Sequence, residues 1–156
     1  MKKLLCALLS FTVVAGLTLP CFAKEDVITP QIVETVYPTE DVVIADIVVT
    51  DSPYNADNTG KEDVTAVLQK AIDDCAMNGG GTVFLPEGRY RVTGNIYIRQ
   101  FVTLRGEYQD PDDGKNYGTI IVADVKSEDV MTPGLFTVGA SAGAVGLTVW
   151  YPQQDI

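Results

Sequence analysis

The chain has 156 residues, 46% of them apolar, and a formal net charge of −10, so it is sized for one domain with a buried core. Acidity of this strength argues against nucleic acid and anionic membranes as partners, since both are met by clustered Lys and Arg. There is no histidine, which excludes Ser-His-Asp and Cys-His catalysis within the chain and removes the commonest transition-metal ligand.

Residues 1–23 read as a secretory signal peptide. Met1-Lys2-Lys3 is a basic start, residues 4–19 are an apolar run, and Cys21 and Ala23 are the small residues at −3 and −1 of a cleavage after Ala23. The run is shorter than the ~20 residues of a membrane span, and no basic flank follows it, which weighs against a retained anchor. A lipoprotein with Cys21 lipidated fits poorly, because Pro20 stands where a small residue is expected. The expectation is a secreted protein with no membrane attachment. Cleavage removes Lys2 and Lys3 and takes the formal charge from −10 to −12. Cys6 and Cys21 leave with the signal, so Cys75 is alone and no intrachain disulfide forms.

Residues 24–41 hold Thr29-Pro30 and Tyr37-Pro38 and read as a linker or loosely packed arm. Residues 42–50 are a β-branched run that predicts a strand. Residues 51–60 carry turn chemistry, from Asp51-Ser52-Pro53 to Thr59-Gly60. A helix over 63–77 is predicted from one apolar face of Val64, Val67, Leu68, Ala71, Ile72 and Cys75. Asp63 is the candidate N-cap, or Thr59 with Glu62 forms a capping box one turn earlier. Gly79-Gly80-Gly81 stops the helix. Short strands follow at residues 82–85, 89–93, 95–98, 101–106, 119–123, 134–138 and 144–150, with a polar loop at 109–116.

Short strands with no second helix fit a sandwich or a β-solenoid. The recurrence of Thr103-Leu104-Arg105-Gly106, Thr119-Ile120-Ile121-Val122 and Gly146-Leu147-Thr148-Val149 favours the solenoid. A solenoid must cover its first coil, and the amphipathic helix precedes all the predicted coils with one apolar face.

The stretch Asn55-Ala56-Asp57-Asn58-Thr59-Gly60-Lys61-Glu62-Asp63, then Leu68-Gln69-Lys70-Ala71-Ile72-Asp73, Gly79-Gly80-Gly81-Thr82-Val83-Phe84-Leu85-Pro86-Glu87-Gly88-Arg89-Tyr90 and Val102-Thr103-Leu104-Arg105-Gly106 resembles the N-terminal region of the pectate-lyase superfamily, which includes rhamnogalacturonase-like and polygalacturonase-like proteins. The resemblance covers about residues 42–150. It departs at residues 55–60, where family members often read Gly-Ala-x-Gly-Asp-Gly. The resemblance implies an all-β fold, a right-handed single-stranded parallel β-helix, with residues 42–156 supplying the cap helix and first coils only. It also implies that the chain is truncated, since the family builds a longer stack than residues 82–156 provide.

In that family the catalytic groups sit on the long parallel face of the central coils: Asp carboxylates in hydrolases, a calcium site and a basic residue in lyases. None carries over to a residue of this chain, so no catalytic residue and no metal ligand is assigned. No cofactor is expected in this chain, and calcium is implied for the parent protein if it is a lyase. The acidic turn of Asp110, Asp112 and Asp113 lacks calcium-loop spacing, because Gly114 falls where the third ligand belongs. Asp73 and Asp74 are neighbours on a helix and point different ways. Asp124, Glu128 and Asp129 have no partner carboxylate at glycosidase spacing. Trp150 and Tyr151 are the candidate sugar-stacking residues, against the plainer reading of one ring in the core and one on the surface. Tyr90 and Tyr97 divide the same way. Lys61, Arg89, Arg91, Arg99 and Arg105 are candidate contacts for an acidic glycan, though such residues more often pair with nearby carboxylates.

The function implied by the resemblance is the N-terminal portion of a secreted polysaccharide-active protein, a glycoside hydrolase or polysaccharide lyase, inactive alone and with a polysaccharide as partner. The alternative is a non-catalytic β-helix adhesin or tailspike-like glycan binder.

Overall fold

The computed structural model describes residues 28–37, 42–108, 116–125 and 134–154. The signal-peptide reading of 1–23 therefore lies outside the described residues, as do residues 24–27 and 38–41 of the predicted linker, and Asp110, Asp112, Asp113, Gly114, Glu128 and Asp129. Among the described residues no helix is long and apolar enough to cross a membrane.

Strands β1 (Gln31–Val33) and β2 (Val43–Ala45) form an antiparallel pair. The segment expected to be a linker thus holds a strand. After β2 the chain turns through circuits. The first is β3 (Ile47–Val48), β4 (Thr59–Asp63) and helix α1 (Thr65–Met77). The second is β5 (Gly81–Leu85), β6 (Gly88–Val92) and β7 (Ile96–Ile98). The third is β8 (Val102–Gly106), β9 (Thr119–Ala123) and β10 (Phe136–Val138), and β11 (Gly143–Val145) with β12 (Leu147–Trp150) opens another. Successive circuits stack strand on strand, so three parallel sheets result: β3-β5-β8-β11, β4-β6-β9-β12 and β7-β10. Mostly parallel strands with one helix make the chain an all-β protein of the parallel β-helix type.

Alternation along each strand sends every second side chain into the space between the sheets. Val83 and Leu85 of β5, Tyr90 and Val92 of β6, Ile96 and Ile98 of β7, Leu104 of β8 and Ile121 of β9 all lie there, each with no exposed surface. Helix α1 takes the place of the third strand in the first circuit and turns Leu68, Ala71, Ile72 and Cys75 onto this core. Burial pushes the Cys75 thiol up to about 11, with the negative charge of Asp46 adding to the effect.

Four details differ from the sequence expectations. The run at 42–50 is two strands, because Asp46 leaves the ladder: its N–H donates to the Thr82 carbonyl at 2.9 Å, and its carboxylate accepts the Thr82 N–H at 2.7 Å. A Cβ on Gly81 would stand 2.1 Å from that carboxylate, at a φ of +136°, so only glycine fits. The helix N-cap is Val64, with no side-chain cap. Val64 still donates to the Arg91 carbonyl, and Asp63 instead accepts the N–H of Thr65 at 3.0 Å. Thr59 is paired with Arg89 in β4, which rules out the capping box.

The third correction concerns the repeats. Thr119 and Leu147 are opposite each other, but Thr103 lies in another sheet, opposite Thr82 and Gly143. The fourth is the strand predicted at 144–150, which is broken at Gly146 where the chain passes from one sheet to the next. Gly146 has a φ of +68°, and a Cβ there would meet the Gly106 carbonyl oxygen at 2.5 Å.

Candidate functional site

The outer surface of the β4-β6-β9-β12 sheet gathers most of the side chains that a glycan could use. Since Tyr90, Val92 and Ile121 point inward, alternation sends Arg89, Arg91, Ile120, Val122, Thr148 and Trp150 outward. Register then sets the rows: Arg89, Ile120 and Thr148 are in line, as are Arg91, Val122 and Trp150. Arg89 and Trp150 come from strands on either side of β9 and meet above it, the guanidinium carbon 5.6 Å from the ring centroid. Ile120 between them is 1% exposed although it faces outward. Trp150 remains 38% exposed, so it offers a part-open aromatic surface backed by a cation.

Arg91 sits beside this pair and is held by a carboxylate. Its Nε and Nη2 donate to Asp124 Oδ2 at 3.0 and 2.7 Å, and Gln153 Nε2 donates to Asp124 Oδ1 at 2.6 Å. Asp63 closes the edge of the face, accepting the Thr93 hydroxyl at 2.6 Å and the Thr65 hydroxyl at 2.5 Å. Burial opposes its ionisation, but the hydrogen bonds from Thr65 and Thr93 outweigh it and hold the carboxyl below the usual range.

The other candidates are scattered. Tyr151 is half-buried against the inner core, away from Trp150. Tyr90 is buried between the sheets with its hydroxyl donating to the Pro86 carbonyl at 2.9 Å, and burial raises its pKa. Tyr97 lies on the outer face of β7 beneath Arg99, 4.7 Å from the ring centroid. Arg99 Nε donates to Asp73 at 2.5 Å, and that bond holds the Asp73 carboxyl below its usual range. Asp74 turns the other way, to Lys70 and the Tyr54 hydroxyl. Lys61 is exposed on β4, and Arg105 lies on the β5-β8 sheet opposite Phe84. The cluster on the β6-β9-β12 face is thus Arg89, Arg91, Asp124 and Trp150.

The resemblance implied calcium in a lyase, and the described residues do not fit it. Among them no group of three or more His, Cys, Asp or Glu is placed to hold a metal ion. Asp63 and Asp124 already accept hydrogen bonds from protein donors.

Sequence reading missed three polar side chains with structural roles: Asp57, Gln69 and Glu107. It also missed a cleft of about 810 Å³ at the helix end, lined by Asp46, Asp51, Tyr54, Lys70, Asp74 and Met77 among others. Of these, only Asp57 and Gln69 left a signal, as members of the stretches that carry the family resemblance.

Circuits of parallel strands closed by a helix define a pectate-lyase-like protein. The chain belongs to the family described as rhamnogalacturonase A/epimerase, pectate lyase-like, which matches residues 48–149. Over 41 residues, 26% of the chain, it is 51% identical to Alginate lyase 7 of Azotobacter vinelandii, and the match covers 5% of that protein. The same length and identity relate it to the mannuronan C5-epimerases AlgE3 and AlgE5 of that bacterium, covering 2% and 4% of them. The matched stretch is therefore a small part of each of these relatives. No solved structure matches the chain.

Proposed function

We propose that the chain supplies the cap and opening coils of an exported, right-handed parallel β-helix protein that acts on a polysaccharide, and that a glycan strand lies across the outer face holding Arg89 and Trp150. The observation that carries this is the Arg89–Trp150 pair arched over Ile120 on a parallel sheet. A half-open indole suits the apolar face of a sugar ring, and a guanidinium beside it suits a carboxylate or hydroxyls. The right hand follows from the strong preference of parallel crossovers. Export rests on the basic start, apolar run and small residues before Lys24. The names of the relatives point to uronate polymers such as alginate. The reaction, lyase or hydrolase, belongs to residues outside this face, and this chain alone turns over no polysaccharide.

Trp150 is the single tryptophan, so its fluorescence reports directly on the site. Titrating the purified chain with alginate, polygalacturonate and a neutral glucan is expected to change the emission with at least one acidic polymer, and Arg89→Ala is expected to weaken that response. Emission indifferent to every polymer sinks the binding reading. Formation of unsaturated or reducing ends by this chain sinks the inactivity reading.

A further inference from the structure

Two apolar clusters lie on opposite sides of one sheet. Val83 and Leu85 belong to the inner core, whereas Phe84 points outward from the same strand and is still wholly buried. What covers it is β2, whose Val43 and Ala45 pack with Phe84 and Val48; the N-terminal arm adds Val33 of β1 at the edge of that cluster. Among the described residues this outer cluster has four buried members against nineteen in the inner one. The arm is therefore held by little apolar surface of its own.

Its far end is held by a carboxylate. Glu107 is 3% exposed, and its side chain accepts the N–H of Val36 at 2.6 Å, of Tyr37 at 3.4 Å and of Glu87 at 3.3 Å. The Tyr37 hydroxyl donates to Glu87 at 2.8 Å, a second tie to the same corner. The Glu107 backbone is fixed independently, its N–H donating to the Thr119 hydroxyl, which in turn donates to the Leu85 carbonyl at 2.7 Å. The carboxylate thus belongs to the rigid coil and two of its three donors belong to the arm. We propose that residues 28–37 form a releasable strap, locked onto the outer face of the β3-β5-β8-β11 sheet by Glu107, which opens as a unit while the coils stay folded. Opening takes Val33 off the outer cluster and Ile28 off the edge of the inner one, and leaves Val43 and Ala45 of β2 on Phe84. A small satellite cluster joined to a large core by a few polar ties is the arrangement expected of a low-stability opening unit.

Native-state hydrogen exchange on the intact chain tests this. In the wild type the amides of Val36, Tyr37 and the β1–β2 pair are expected to exchange together and ahead of Val83, Leu104 and Ile121. Glu107→Gln keeps the shape but replaces one acceptor oxygen with a donor, and is expected to speed the arm amides about tenfold or more with the coil amides unchanged. Arm and coil amides exchanging as one unit, or arm rates indifferent to Glu107→Gln, overturn the proposal. Should Glu107→Gln fail to fold, Tyr37→Phe removes only the tie to Glu87. Faster exchange confined to the arm then supports the strap, and unchanged rates refute it.

Discussion

The carboxamide of Gln69 pairs with the backbone of Tyr97 as a neighbouring strand would. Gln69 Nε2 donates to the Tyr97 carbonyl at 3.1 Å, and the Tyr97 N–H donates to Gln69 Oε1 at 2.9 Å. Among the described residues β7 has no strand partner on the side facing α1, and one side chain of the helix supplies both of the bonds that Tyr97 would otherwise leave open.

Replacing Gln69 by Leu keeps the bulk and removes both bonds. The expected cost is about 1–3 kcal/mol of unfolding free energy, read as a lower urea midpoint with an unchanged slope. Gln69→Glu turns a carboxylate oxygen toward the Tyr97 carbonyl and toward Asp73 Oδ1, which Nε2 now bonds at 3.0 Å, and should cost at least as much as Leu.

Asp57 contributes to the acid limb of stability. Its carboxylate accepts the backbone N–H of Glu62 at 2.9 Å, the Thr59 hydroxyl at 2.7 Å, and the N–H groups of Lys61 and Thr59. These bonds hold its pKa far below the usual carboxylate value. A pKa depressed in the folded state gives stability that is present above the unfolded value of about 3.9 and is lost as pH falls below it. Asp57→Asn should therefore lower the melting temperature at neutral pH and narrow its gap to wild type toward pH ~3. A gap that stays constant over that range would count against the assignment.

Cys75 is expected to be inert in the folded protein. With no exposed surface and a thiol raised to about 11, it presents almost no thiolate at neutral pH. Thiol-reactive dye should label it only in denaturant. Cys75→Ser puts a hydroxyl into the same apolar site and should cost about 1–3 kcal/mol.

Gly81→Ala should be among the most damaging single substitutions. The new methyl would overlap the Asp46 carboxylate that accepts the Thr82 N–H. Strain of about 1–3 kcal/mol from the backbone angle adds to the broken bond. Pairing it with Asp46→Gly removes the overlap and should recover part of the loss in a thermal melt.

The parts legible in the sequence were those that announce themselves by burial. The stripe Val64, Leu68, Ala71, Ile72, Cys75 gave α1, and Gly-Thr-Val-Phe-Leu-Pro gave β5 and its turn. Strand β4, Thr-Gly-Lys-Glu-Asp, escaped notice because its residues are almost all exposed. What holds it is the ladder to Arg89 and Arg91 and the Asp57 carboxylate rather than any apolar pattern. The repeat alignment failed for a related reason. Strands β8 and β9 both send apolar residues inward, and that pattern is the same whichever wall a strand belongs to. For the candidate site, Arg89 and Trp150 each stood out by residue type. Their meeting over β9 depends on register between circuits, which no local pattern carries.

Asp57 on β4 and Gln69 on β7 place side-chain bonds at the first layer of the stack. Fibre growth from that end would need free main-chain donors and acceptors to template an incoming layer. Side chains of the chain itself thus already occupy main-chain groups of β4 and β7 on which an incoming strand would otherwise pair.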